Sequence, residues 1–546
     1  AFSRDLEAYL RHELVSAKPR ALAYRARKFV RRYRAGVALT GGVLALLVFA
    51  TGFSLDKMRD ARRERDAAVF ASRRAAAEAE FQSLLVSQVG DGPITMREIL
   101  DRSRAALAQE YASQPRLQGM LLVELADKYS ELGDAPADSS LLVRAESLAA
   151  SAHDDETLAE VECGKVTSLR LSGRYPEAEA AYQRADSMLR VVQSPRVEAA
   201  CLANYADLES EIAHPERSGP AIRRAIAIRD SLGQTRDMFY IGLLTSLSDV
   251  LEAEGHPRDA IATLRRAGAL MDTSGQGGTI SREVVRHNLA MELGDIGATQ
   301  EAERQLHEVL ERSAGIDRTG RMPQQPLIHY AYAALFQGDA DSAAKYFTML
   351  ADQAVAQHNT YWEGRALFGL VQAEAGTGRL DAMRRTAERF RRISGNRDLV
   401  HSDDQLTDER AVQAWLSLVR GDTAAAYERE VALLRAAGYF DGRRKHVFRA
   451  SLIVAADAAL SLGKWDEALR YARDARGIAT LDSLTESQSA YVGEARLVEA
   501  RALLAGGDTV AARTALSAAL AGLRAGAGDG HWRTRQAEAL WSALSR

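Results

Sequence analysis

Nine glycines mark the chain at a nearly constant interval: Gly133, Gly173, Gly255, Gly297, Gly338, Gly378, Gly421, Gly463 and Gly507. The intervals are 40, 82, 42, 41, 40, 43, 42 and 44 residues, the 82 being two periods with one glycine lost near 213. A fixed period of this length means a repeat architecture. Ten units of about 41 residues fill 115–525. Seven residues before each glycine stands a small side chain: Ala126, Val166, Ser248, Ala290, Ala331, Val371, Ala414, Ala456, Ala500. Five residues after it stands Ala in seven of the nine, and nine after it a large apolar residue in most, such as Tyr182, Leu264 and Phe347. Each unit therefore reads as helix, glycine turn, helix, with small residues letting the two backbones approach and large ones filling the space between. The expectation is an all-α solenoid of about ten helix-turn-helix units.

Upstream lies AGVALTGGVLALLVFATGFSL, residues 35–55, which carries no charge. At about 1.5 Å per residue such a helix reaches roughly 30 Å, the hydrocarbon thickness of a bilayer. A single transmembrane helix is expected there. Residues 1–34 hold ten Lys/Arg against three acids, +7, so with a whole-chain charge of −3 and none on 35–55 the remainder sums to −10. The basic cluster flanking the membrane segment, Arg25, Arg27, Lys28, Arg31, Arg32 and Arg34, reads first as a positive-inside signal, with binding of anionic lipid as the alternative. It puts the N-terminus in the cytoplasm and the body outside, in a single-pass inner or plasma membrane protein.

The organisation follows: 1–34 a cytoplasmic juxtamembrane segment, 35–55 the transmembrane helix, 56–92 a helical stalk, 93–525 the repeat solenoid, and 526–546 a C-terminal capping helix. Thr95 and Glu98 form a capping box that starts a new helix. Phe70, Ala77 and Leu84 lie seven apart, which leaves open a homodimer through the stalk or the membrane helix. Cys163 and Cys201 are too few for a zinc site. The reading favoured for them is two small apolar residues packed in adjacent helices, with a bridge as the alternative if the body is extracytoplasmic.

The block VSAKPRALAYRARKFVRRYRAGVAL, with DLEAYL before it and ITMREILDRSRAAL and QPRLQGMLLVELADKYSELGD after it, resembles the juxtamembrane region of bacterial transmembrane serine/threonine protein kinases with tetratricopeptide repeats (TPRs). The resemblance covers about residues 3–135. It implies that a kinase domain, with its ATP and Mg, precedes Ala1, and that this chain is its membrane-anchored sensor region. These residues contain no catalytic motif: no phosphate loop, His-Arg-Asp or Asp-Phe-Gly run. Nor do the scattered histidines or the isolated Ser54-Leu55-Asp56-Lys57 form a catalytic or metal pattern. No cofactor, metal or nucleic acid is expected in this chain. A kinase-independent membrane-tethered scaffold is the alternative.

The repeats resemble the TPR, whose turn reads Gly-x-aromatic-x-x-Ala. GRYPEAEAAY (173–182) and GKWDEALRYA (463–472) match it best, although the period exceeds the family's usual one. The resemblance implies a protein or peptide ligand in a groove lined by the first helix of each unit, at −13, −10, −6 and −3 from the glycine. Those positions hold Thr167, Arg170, Thr245, Asp249, Glu252, His287, Gln325, Tyr332, Arg365, Gln372, Trp415, Asp457, Glu494 and Arg501, with Tyr332 and Trp415 the expected aromatic anchors.

Overall fold

A computed structural model describes residues 34–87, 95–212, 214–316, 323–394, 420–442, 448–481 and 485–546, with isolated residues among 6–33 and 414–417. Among the described residues there is helix and no strand. The chain divides into two compact units, Ala1–Val161 and Glu162–Arg546.

The first unit is built on one continuous helix, Arg34–Ser87, of 54 residues. Its stretch Arg34–Arg62 is long and apolar enough to cross a membrane, with a mean hydropathy of 2.0 over the most apolar window. Leu39, Val48 and Phe49 project outward there, more than two-thirds exposed. Further on the helix changes character. Ala77 and Phe81 are buried in a cluster with Leu100, Leu107, Tyr111, Leu121, Leu125 and Tyr129. Arg116 lies 3.6 Å over the Phe70 ring, and Tyr111 donates to Glu80 at 2.8 Å. Arg74 reaches Glu78 at 2.8 Å and Glu156 at 3.3 Å. Phe70 and Ala77 thus meet side chains of this same chain, so this part of the expected dimer seam is already covered; the Leu84 side chain lies outside the described residues. Thr95 and Glu98 close their box reciprocally, the Thr95 amide donating to Glu98 at 2.8 Å and the Glu98 amide to Thr95 Oγ1 at 3.2 Å.

In the second unit the helices come in pairs: Pro195–Glu211 with Pro215–Ser231, Met238–Ala253 with Pro257–Thr273, Ile280–Asp295 with Thr299–Ile316, and Gln324–Gln337 with Ala340–Ala356. Thr360–Gly376 with Leu380–Ser394, Phe448–Ser461 with Trp465–Ala479, and Ala490–Ala505 with Thr509–Ala527 continue the series, which ends on the single helix Trp532–Leu544. The turn explains the glycine period. All nine turn glycines have φ between +70° and +90°, the left-handed region in which a Cβ clashes. At such a turn the amide after the glycine reaches back to a carbonyl five residues earlier, as His256 does to Leu251 at 2.7 Å and Lys464 to Ala459 at 2.9 Å. The unit that lacks the glycine keeps the bond, from His214 to Glu209 at 2.8 Å.

The locked positions are core positions. Every residue at −7 is buried, and so is each Ala at +5. Enlarging one of these alanines would force two helix backbones apart, a cost of about 1–3 kcal/mol. The chain is a TPR-like α-solenoid, in which each unit completes its core only against the next.

Two features differ from the favoured reading or lie beyond it. Cys163 and Cys201 form a disulfide, with Cα atoms 4.9 Å apart, tying the first helices of two successive units. The favoured reading of two packed thiols is corrected: both residues sit on facing helix sides one period apart, and Asn204 reinforces the register by donating to the Cys163 carbonyl at 3.0 Å. The second feature is a closure. The Ala490 amide donates to the Gly297 carbonyl at 2.9 Å, Thr299 Oγ1 to the Gly526 carbonyl at 3.2 Å, and His531 Nε2 sits 2.6 Å from the Phe336 carbonyl. A Cβ on Gly526 would stand 2.3 Å from the Ala490 nitrogen and 2.4 Å from the Gly297 oxygen, so the last units can fold back onto the fifth only because that residue has none.

Candidate groove along the first helices

Polar contacts separated by about one period in sequence run from first helix to first helix at several steps of the second unit and define a stripe among the described residues. Arg170 donates to Glu211 at 2.6 Å, Ser246 to Asp207 at 3.4 Å, and His287 Nε2 lies 2.9 Å from His329 Nδ1. Arg501 pairs with Asp457, and Arg449 with Glu494 at 3.5 Å. The stripe exists because the period places equivalent residues side by side on neighbouring helices.

Its electrostatics change along its length. Asp249, Glu252, Glu292 and Asp295 lie in the last turns of Met238–Ala253 and Ile280–Asp295, where the negative end of the helix dipole already disfavours carboxylates. None carries an ion pair among the described residues. Burial pushes Glu292 up to about 8, with repulsion from Glu252, Asp295 and Asp249 adding to it, and Glu292 shares a hydrogen bond with Glu252. Burial likewise raises Asp249 and Asp295 to about 6. Asp249, Glu252 and Asp295 are nevertheless exposed to water. Glu292 is only 5% exposed, and its Oε2 has no hydrogen-bond partner.

The middle of the stripe is uncharged. The His287 and His329 rings stack with centroids 5.1 Å apart. Burial holds both below the usual imidazole range, His329 at about 3 with His287 and Arg365 opposing its charge. Tyr332 packs edge-on against Phe347 at 4.8 Å, and burial raises its phenol. Next comes Arg365, half-buried, its guanidinium 5.1 Å from the Trp362 ring and donating to Tyr361 Oη at 3.1 Å. It has no carboxylate partner among the described residues, and its Nε is buried without a hydrogen bond.

At the far end every charge is matched. Arg533, from the terminal helix and 5% exposed, donates to Asp457 at 2.7 Å and Glu494 at 3.2 Å.

Arg170, Thr167, Thr245, Asp249, Glu252, His287, Tyr332, Arg365, Gln372, Asp457, Glu494 and Arg501 thus all lie on first helices of the second unit. Gln325 is exposed at the start of Gln324–Gln337. Trp415, Arg25, Arg27, Lys28 and Arg32 lie outside the described residues; Arg31 and Arg34 are exposed. Asp207, Glu292, Asp295 and His329 were missed. Asp207 stands one period before Asp249, in the unit whose glycine is absent, so extrapolating the period would have found it. Glu292 and Asp295 fall one residue off the expected register.

No protein-family model matches the chain, and no curated protein matches its sequence. Among solved structures it is similar to the Rap protein complexed with competence and sporulation factor, at 15% identity and a TM-score of 0.45, over 66% of this chain and 97% of that one. The apo form of the quorum sensor NprR from B. thuringiensis aligns at 13% identity and 0.44, over 65% and 97%. A tetratricopeptide repeat protein from Parabacteroides merdae aligns at 13% and 0.38, over 55% and 98%.

Proposed function

We propose that the chain is the membrane-anchored, ligand-binding sensor region of a transmembrane serine/threonine kinase, its TPR-like array held outside the membrane and reading a peptide or protein partner. The observation that carries the binding role is a group of charges on one side of the array without ion pairs among the described residues: exposed Asp249, Glu252 and Asp295 around buried Glu292, and half-buried Arg365. A purely structural surface would pair or hydrate Glu292, which is buried beside three like charges with an unpartnered Oε2, and charges kept against stability mark sites of function. The apolar stretch Arg34–Arg62, flanked by basic residues, supports the anchor. The Cys163–Cys201 bridge supports an oxidising, extracytoplasmic setting for the repeats. The kinase parentage rests on the resemblance of the juxtamembrane block alone.

Protease added outside intact spheroplasts should digest the repeats, while full protection reverses the orientation. Sequencing upstream of Ala1 tests the parentage directly. An in-frame start codon without kinase signatures leaves a membrane-tethered scaffold instead.

A further inference from the structure

Resting on the reading of the stripe as a binding groove, we propose that its ligand is an extended peptide of about eight residues that sets a basic side chain among Asp249, Glu252, Glu292 and Asp295 and a carboxylate on Arg365. The two kinds of charge stand apart along the order of the helices, and a ligand complementary to both must span them. The four carboxylates occupy the ends of the fourth and fifth first helices, and Arg365 the start of the seventh. Neighbouring packed helices stand about 10 Å apart, and about seven residues of one helix separate the two registers along its axis. The span is therefore roughly 20–25 Å, which an extended chain at about 3.3 Å per residue covers in seven or eight residues.

Each end lacks what the ligand would bring. Glu292 is buried with an unpartnered Oε2 aimed into a cluster that holds no cation. Arg365 is stacked on Trp362 and fixed by Tyr361, so its guanidinium is preorganised, yet no carboxylate meets it among the described residues. Between the ends, His287 and His329 are neutral and hydrogen-bonded to each other, so that stretch of the groove favours neither charge and suits uncharged ligand residues. The order of charges sets that of the peptide: base at the fourth and fifth units, acid at the seventh.

The test is a random decapeptide library, displayed with free carboxyl termini, selected on the full chain in nanodiscs at pH 7.5. Retained peptides should carry Lys or Arg about seven residues from an acidic side chain, on either side of it, or about seven before the terminal carboxylate. The double variant Asp249→Asn/Glu252→Gln should lose the basic preference and bind a selected peptide at least tenfold more weakly. Arg365→Gln should lose only the acidic preference. Helical circular dichroism and the melting temperature identify any variant that fails to fold, and Glu252→Gln alone, at an exposed position, replaces the double variant if needed. Peptides retained with no charge preference, or with one that survives both variants, overturn the charge assignment while leaving the groove. No peptide retained at all overturns the groove reading itself.

Discussion

Asp249 and Asp457 hold the same place in their repeats, six residues before the turn glycine, and meet opposite fates. Asp457 is clasped by Arg501 and by Arg533, its two neighbours on the stripe. Asp249 faces Glu252, Asp207 and Glu292 and has no cation. The fold dictates that both side chains point to the stripe; only their neighbours one period away decide whether the charge is satisfied. At the far end the partners come from the next unit and from the terminal helix, so the charges there close the array. In the middle the carboxylates have no cation among the described residues, which is what the proposed ligand would supply.

The largest expected effect tests the closed end. Replacing Arg533 by Met leaves buried Glu494 and half-buried Asp457 with one cation fewer each, a loss that typically costs about 3 kcal/mol or more. Asp249→Asn removes a carboxylate that repels its neighbours and should leave stability unchanged or raised. Urea unfolding followed by circular dichroism reads both. Equal losses for the two variants would erase the distinction between a structural end and a binding middle.

Next in size is the tie that adjoins the acidic stretch. The bridge between Cys163 and Cys201 closes a loop of 38 residues, for which chain entropy predicts a contribution of about 2–4 kcal/mol. Cys163→Ser should lower the melting temperature, and reductant should do the same to the wild type but not to the variant. A wild type indifferent to reductant would mean that the two thiols are not joined and would remove the support they lend to an oxidising compartment.

Much of this architecture is legible from the spacing of glycines and alanines, because a left-handed turn and a close backbone contact each admit few residues. Gly255 and Ala260 show why: one has φ of +80° and the other is fully buried. What escapes is anything set by superhelical curvature. Nothing near Gly526 or His531 in sequence announces that these residues meet Gly297 and Phe336, some two hundred positions away. The stripe is an intermediate case. The family register points to Asp249 and His287, but Glu292 escapes because it lies one residue off that register, and His329 is visible only as the partner His287 acquires one period on. The disulfide was within reach too, since Cys163 and Cys201 are close to one period apart.

The smallest of these effects is a dependence on pH to which the acidic stretch contributes, alongside Glu430 and Asp127, which burial raises to about 8 and about 7. Glu292 holds its proton to about 8 in the folded chain, and Asp249 and Asp295 to about 6, each above its ordinary value because burial penalises the ionised form. Between those limits the folded state binds more protons than the unfolded one, so stability must fall as pH rises from about 4 to 8 and level off beyond. Allowing for water in the groove and for the shared proton, the fall should be about 1–3 kcal/mol. Glu292→Gln should flatten its upper part, between pH 6 and 8, whereas Asp457→Asn should not. A bound cation works in the opposite sense, since it favours the ionised carboxylates. A basic peptide should therefore bind more tightly as pH rises across the same window and release protons as it does, an effect that calorimetry in two buffers of different ionisation enthalpy would register. A slope unchanged in Glu292→Gln would place the titrating groups elsewhere and leave Asp249 and Asp457 alike in everything but their neighbours.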